Sequence, residues 1–334
     1  MSQEPGPILL SFSTERILYP RAPFHFDGTV YKPSYFPGPD LVFEPGHLWH
    51  SLRFAGEVFG IRMDNLGGVD DPALRLVIFS AEAAAPEVIE RIAAEMTWRY
   101  DLEADLSAFY DGFAGDELLA PVLARWRGVR PSTYSSLYEY LVISTLLQNA
   151  TVRRTVQMAE NLFARYGRRV AYDGRVLAAY WDPAEIRAAP EEELRTLKVG
   201  YRAKTLKRQA ESFAPRLWGF APDGLDEAVL REMPTPELKK TLLGIYGVGP
   251  ASVWYLLFGQ FKRYGVFETI SPWEQKIYSR LLFNEDLVDG KVILDEVEKR
   301  WGQWKMLAAH LIFEDLFWQR RNQPVPWLEE LIRL

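Results

Sequence analysis

The sequence predicts an α+β chain, with a β-rich segment over residues 1–100 and a mostly α-helical remainder over 101–334. Three observations lead there. In the first hundred residues, short apolar stretches (ILLSFS, GEVFGIRM and LRLVIFS) alternate with Gly, Pro and Asp punctuation, as strands and turns do. From Asp101 onward apolar residues recur at helical spacing, as in LEADLSAFYDGF, ELLAPVLARW, SLYEYLVISTLLQ and VRRTVQMAENLFARYG. A glycine-rich hairpin then joins two apolar helices at about 238–258. The chain of 334 residues, 48% hydrophobic and 25% charged with 11 Trp, can bury a sizeable core and suits two or three domains.

Taken in order, VYKPSYFPGPDLVFEPGHLWH reads as a Pro-rich, aromatic loop region. Residues 81–97, AEAAAPEVIERIAAEMT, read as a helix with Pro86 near its first turn. The boundary between the two parts falls near 100–105. The helical part runs on to a Pro-rich break at NQPVPW and a short terminal helix. The cysteine count is zero, which excludes disulfides, a cysteine nucleophile, zinc–cysteine sites and iron–sulfur clusters. MSQEPGPILLSF lacks the basic-then-apolar order of a signal peptide, and no run of 18 apolar residues occurs. The expectation is a soluble cytoplasmic protein without a membrane partner. The net charge of −6 alone points away from nucleic acid, so the local distribution of charge matters more.

The segment LKKTLLGIYGVGPASVWYLLFG is the most informative. A helix ends at Leu243, Gly244, Gly247 and Gly249 follow closely, and Pro250 stands where a second helix begins. Glycines permit positive φ and a close approach of backbone, and a helix start presents free N–H groups that suit a phosphate. From residues alone, a phosphate site and a packed helix–helix turn both remain open.

The run Leu243-Gly244-Ile245-Tyr246-Gly247-Val248-Gly249 resembles the helix-hairpin-helix of the DNA glycosylase superfamily that also carries a Gly/Pro-rich loop. Tyr246 stands where Pro is usual there, and Val253 where a small Ala is usual. LYEYLVISTLLQNATVRRTVQMAENLFARYG resembles that family's helix–turn–helix, EELRTLKVGYRAKTLKRQAESFA its earlier hairpin, and RWGQWKMLAAHLIFEDLFWQR its closing helix. The resemblance covers about 101–321 and is closest to the 8-oxoguanine branch, with the alkylbase branch as neighbour. It implies an antiparallel N-terminal β domain followed by a two-lobed helical fold. It also implies a hairpin that grips the DNA backbone through Gly247, Gly249 and Ala251. No cofactor is required, although the carbonyls of Leu243, Ile245 and Val248 are those that hold a potassium or sodium ion in the family.

An enzyme that removes a base from duplex DNA must extrude it and fill the gap. By resemblance Asn149, Arg154 and Arg202 recognise the orphaned cytosine, Tyr201 wedges the stack, and Gln148 and Lys204 lie beside them on the DNA. Arginine donating to cytosine and a ring replacing a stacked base are sensible chemistry. The other reading is an Asn turn, solvated arginines and a core tyrosine. RTLKVGYRAKTLKR carries Arg195, Lys198, Arg202, Lys204, Lys207 and Arg208 without an acid, and Arg153, Arg154, Arg165, Arg168 and Arg169 form a second cluster. Such patches attract phosphate despite an acidic total.

Base excision passes through an oxocarbenium-like sugar that needs a nearby anion. The family supplies an Asp at the start of the helix after the hairpin, and Ser271 stands at that position here. The Lys that forms a Schiff base in bifunctional members is replaced by Ala251, so β-lyase chemistry through it has no nucleophile. Glu274 and Glu268 flank Ser271 at three residues either way and are the substitute acids. SPWE also reads as a helix start, with Ser271 as N-cap, Pro272 in the first position and Glu274 closing a capping box. Phe313 and Trp318 on the closing helix stack on an extruded base or pack in the core. His47-x-x-His50 lacks further ligands for a metal, and His310 lies in an apolar helix. Together these imply a monomeric, monofunctional DNA glycosylase acting on a modified base, an oxidised purine opposite cytosine, in damaged double-stranded DNA. The alternatives are a catalytically inactive lesion- or structure-specific DNA-binding relative, and a protein–protein module that uses the hairpin for packing.

Overall fold

The computed structural model describes residues 6–35, 38–213 and 225–332. A five-stranded antiparallel sheet of order β2-β6-β5-β4-β3 forms its N-terminal part. Its strands, after a short β1 at Ile8–Leu9, are β2 Phe12–Leu18, β3 Leu41–Glu44, β4 His47–Phe54, β5 Glu57–Asn65 and β6 Leu74–Ser80. Strand β6 shows why: Leu74, Leu76, Ile78 and Ser80 point inward while Arg75, Val77 and Phe79 are less buried, the period of two that a pleated strand imposes. The helix Pro86–Arg99, with Pro86 in its first turn as expected, lays Ile89, Ile92, Ala93 and Met96 on that inner face. Leu48, Leu52, Phe59, Ile61 and Met63 complete this core.

Two features depart from the sequence reading. The Pro-rich stretch expected as loop contains β3 and the start of β4, because Pro45 and Gly46 occupy the turn between two strands whose residues pair from Leu41↔His50 to Glu44↔His47. The helical remainder also contains a β-hairpin, β7 Arg168–Tyr172 and β8 Arg175–Ala179, turned by Asp173 and Gly174 at φ +48° and +72°. Positive φ at both central residues is the demand of a two-residue hairpin turn, and Asp-Gly meets it. Strand β1 pairs parallel with β7, giving a second sheet of order β1-β7-β8. This sheet leans on the first through Leu10, Trp49, Val170, Tyr172 and Leu177.

The helices that carry the candidate site are capped by their own sequence. Leu137–Leu147 starts at a Ser136/Glu139 capping box, and Val152–Tyr166 starts at Thr151, whose side chain accepts the Arg154 amide. They form one core with the Arg202–Phe213 helix through Val142, Leu146, Met158, Leu162, Ala203 and Leu206. The closing helix Lys305–Asn322 buries Met306–Ala309, Leu311 and Ile312 against Phe258, Phe267, Tyr278 and Val297. Its last residues precede the terminal helix Pro326–Ile332, which follows the Pro-rich break. Among the described residues no helix is long and apolar enough to cross a membrane.

Candidate functional site

Two turns far apart in sequence are joined by the Arg202–Phe213 helix. The first turn precedes it. There Lys198 holds a left-handed φ of +66°, a strained conformation for a residue with a side chain, and its carbonyl accepts from Arg154 Nη2 at 2.7 Å. Asn161 Nδ2 donates to the Leu197 carbonyl at 2.9 Å. Tyr201, 54% exposed, follows at the turn's tip. Its hydroxyl donates to the Gln148 carbonyl at 3.3 Å and accepts from Asn149 Nδ2 at 3.4 Å. Asn149 itself adopts φ +50° at the end of the Leu137–Leu147 helix. Gln148, Asn149, Arg154, Tyr201 and Arg202 therefore meet at one edge.

Arg202 does not face outward. It is buried, and its guanidinium donates to the carbonyls of Thr145 at 3.2 Å, Val199 at 3.4 Å and Gln148. Two of these bonds, to Thr145 and Gln148, fall on carbonyls at the C-terminal end of the Leu137–Leu147 helix, where intrahelical partners run out. The guanidinium also lies 4.7 Å from the Tyr201 ring centre. Arg154 is exposed and bonds Gln157 as well as Lys198. Lys204 is exposed and has no ion-pair partner among the described residues. The expected basic patch is partly neutralised, since Arg195 pairs with Glu191, Arg165 with Glu193 and Arg168 with Glu185.

The second turn is the 244–252 hairpin, which follows the helix Thr235–Leu243. Gly247 has φ +86°, and a Cβ there would sit 2.7 Å from Thr205 Cγ2 of the joining helix. Gln209 of that helix accepts from the Thr145 hydroxyl at 3.1 Å and donates to the Tyr246 carbonyl at 3.2 Å. Tyr246, 41% exposed at the tip, carries the Arg208 guanidinium 4.8 Å from its ring centre. Ser252 receives the Gly249 amide at 2.9 Å, while the amides of Gly247 and Ala251 meet no acceptor among the described residues. The Ile245 carbonyl accepts from Val248 at 3.0 Å; those of Leu243 and Val248 meet no donor among the described residues.

After the hairpin, Ser271 caps the helix Pro272–Tyr278 with Pro272 in its first turn and Glu274 closing the capping box. Glu274 Oε2 accepts from the Ser271 amide at 3.3 Å, from the Ser271 hydroxyl at 2.7 Å and from the Tyr255 hydroxyl. Burial together with the Glu274 charge holds the Tyr255 and Tyr278 hydroxyls well above the usual phenol range. The same two causes push Tyr140 up to about 12. Glu268 is exposed and lies 3.8 Å from Lys239. Phe313 packs against Trp273 at 5.8 Å and Phe317 at 4.8 Å, beside this helix. Trp318 lies instead against Trp126 at 5.0 Å and Tyr31 at 5.9 Å, so the two closing-helix aromatics belong to different clusters.

No protein-family model matches the sequence, and no curated protein matches it. Solved structures do resemble the fold. A 3-methyladenine DNA glycosylase from Archaeoglobus fulgidus aligns at TM-score 0.71 and 16% identity, covering 90% of this chain and 98% of that one. MBOgg1 in complex with a low-affinity DNA ligand aligns at 0.67 and 19% identity, covering 93% and 97%. The 8-oxoguanine glycosylase/lyase from Clostridium acetobutylicum aligns at 0.63 and 18% identity, covering 91% and 99%. The chain has a DNA glycosylase fold.

Within this glycosylase fold, sequence reading missed three groups. Tyr255 reaches Glu274 from 19 residues away, and no local pattern announces it. Gln209, which braces the hairpin from below, lies four residues after Thr205 on one helix face, a spacing that was available. Ser34 and Glu314, joined by a hydrogen bond, lie 280 residues apart. Of the histidines, His47 bonds Asp64 at 2.7 Å. His50 is buried, and its imidazole is pushed down to about 3 by that burial and by Arg99. His310 is half-buried, its Nε2 out of contact with solvent and its ring 5.0 Å from Phe258. Among the described residues, no group of three or more His, Cys, Asp or Glu is placed to hold a metal.

Proposed function

We propose that the protein binds damaged duplex DNA as a monomer, extrudes a modified purine and hydrolyses its N-glycosidic bond without lyase chemistry. The observation that carries this reading is the edge at which Asn149 and Tyr201 meet. An exposed ring, braced from behind through its hydroxyl, can enter a base stack without losing its position. The hairpin adds free amides at Gly247 and Ala251 for a phosphate, with Lys204 and Arg208 on the joining helix as cations. Arg202 is a positioning residue in this reading: it fixes the carbonyl on which Tyr201 rests. The carbonyls of Leu243, Ile245 and Val248 fit a potassium or sodium ion, since two of them meet no donor among the described residues, and such an ion would neutralise phosphate charge at the hairpin.

On the sugar side, Glu274 is the anion. As the base departs, its carboxylate stabilises the oxocarbenium-like sugar and takes a proton from the attacking water. Ser271 and Tyr255 hold it in place by donating to it. Ala251 offers no amine, so the product is an intact abasic strand. An oxidised purine opposite cytosine is the first substrate in this reading, and an alkylated purine the second.

Labelled duplexes carrying 8-oxoguanine, alkylated purines or uracil test it, with hot alkali to reveal abasic sites. Wild type, Glu274→Gln and Glu268→Gln run in parallel with a duplex-binding assay. Excision that falls at least about 10²-fold in Glu274→Gln and survives in Glu268→Gln supports the assignment. One observation favours a non-catalytic, lesion-binding relative: Glu274 Oε2 already receives three protein donors. Tight lesion binding by wild type with no excision on any duplex would establish that second reading.

A further inference from the structure

Glu314 lies on the closing helix, 3% exposed, with Oε1 accepting the Ser34 hydroxyl and Oε2 buried without a partner among the described residues. A buried carboxyl oxygen left bare is rare, and each instance calls for a reason. The nearest cation does not supply one. Lys32 is buried too, but its ammonium donates to the carbonyls of Gly28 at 2.5 Å and Arg130 at 2.9 Å. Burial pushes Lys32 down to about 8 and pushes the Glu314 carboxyl up, against the pull of Lys32 and the Ser34 bond.

The surroundings tie Glu314 to the Glu274 site. Tyr35, Tyr134 and Tyr278 all feel the charge of Glu314. Tyr140, Tyr255 and Tyr278 feel that of Glu274, and Tyr35 feels Tyr140. Tyr278 is the tyrosine that feels both carboxyls. Phe313, adjacent to Glu314, packs on Trp273, adjacent to Glu274. Tyr35 and Trp273 are 38% and 37% exposed.

We propose that Glu314 is a general acid, donating the proton on Oε2 to a ring nitrogen of the departing base while Glu274 acts at the sugar. The inference rests on the excision reading above. The C1′–N bond breaks with its electron pair passing to the base, and the Glu314 proton neutralises the base nitrogen. Water oxygen bonds to C1′ and its proton passes to Glu274; exchange with solvent then restores both carboxyls. One carboxyl buried with a bare oxygen and another hydrogen-bonded and half-exposed is the division of environments that separates an acid from an anion.

A base that departs as a cation's neutral product needs no such proton, and this separates Glu314 from a merely structural residue. Single-turnover excision is measured on duplexes carrying 8-oxoguanine or hypoxanthine, which are neutral, and on one carrying cationic 7-methylguanine. Glu314→Gln keeps the shape and the acceptor for Ser34. It is expected to slow release of the neutral bases by about 10²-fold or more and of 7-methylguanine by less than about threefold. The wild-type rate on neutral bases should fall as pH rises while that on 7-methylguanine stays flat. Ser34→Ala should show the same selective loss in smaller measure, and it decides the matter if Glu314→Gln does not fold. Equal losses on both kinds of base, no loss on either, or a wild type that releases only 7-methylguanine would overturn the role of Glu314 alone. A wild type that releases no base from any duplex overturns the excision reading and this role with it.

Discussion

The two turns of the candidate DNA edge are held by different means. The 198–201 turn is pinned by side chains: Arg154 on the Lys198 carbonyl, Asn161 on Leu197, and Arg202 beneath on Thr145, Val199 and Gln148. The 244–252 hairpin is held largely from within, with Val248 bonding Ile245 and the Ser252 hydroxyl closing on Gly249, while Gln209 and Arg208 of the joining helix meet the Tyr246 carbonyl and ring. The first turn borrows its shape from neighbouring helices, whereas the second carries its shape in the glycines. Damage to a neighbour should therefore disable the first, and damage to the chain itself the second.

The largest expected effect is at Arg202. Arg202→Ala removes the buried guanidinium bonds to the Thr145, Val199 and Gln148 carbonyls and should destabilise the protein by about 2–4 kcal/mol, read as a lower denaturant midpoint with an unchanged slope. Arg202→Lys should rescue little, because one ammonium does not reproduce the guanidinium fork. Next comes Gly247→Ala. Its φ of +86° and the 2.7 Å approach to Thr205 should cost about 1–2 kcal/mol and weaken duplex binding. If Gly247→Ala proved harmless while Gln209→Ala did not, the comparison would be reversed.

Tyr201→Ala sharpens the contrast between shape and contact. The ring is 54% exposed, so stability should change by less than about 0.5 kcal/mol, while excision or lesion binding should fall by about tenfold or more. The smallest effect is expected from Lys204→Ala, which should leave melting unchanged and lower the slope of log affinity against log salt by about 0.9.

What was legible in the sequence followed from local chemistry. The Gly247 hairpin, the Pro86 helix and the Ser271-Pro272-x-Glu274 cap all depend on residues within one turn of each other, and all three stand in the structure. The β7–β8 hairpin had its Asp173-Gly174 signal, yet it sat inside a run of helical texture that overrode it. The orientation of Arg202 was not legible, because helical spacing places a residue on a face without saying what that face meets. The pairing of Tyr255 with Glu274, and of Ser34 with Glu314, arises only when distant segments close on each other. The acid beside Ser271 could be nominated from sequence, but the donors that shape it could not.

The most direct test is whether wild-type protein opens a lesion-bearing duplex only after alkali. The expected product is an abasic strand that stays intact until hot alkali cleaves it, because Ala251 provides no amine for strand scission. Strand cleavage without alkali would contradict the monofunctional chemistry, and intact strands after alkali on every lesion tested would contradict base excision itself.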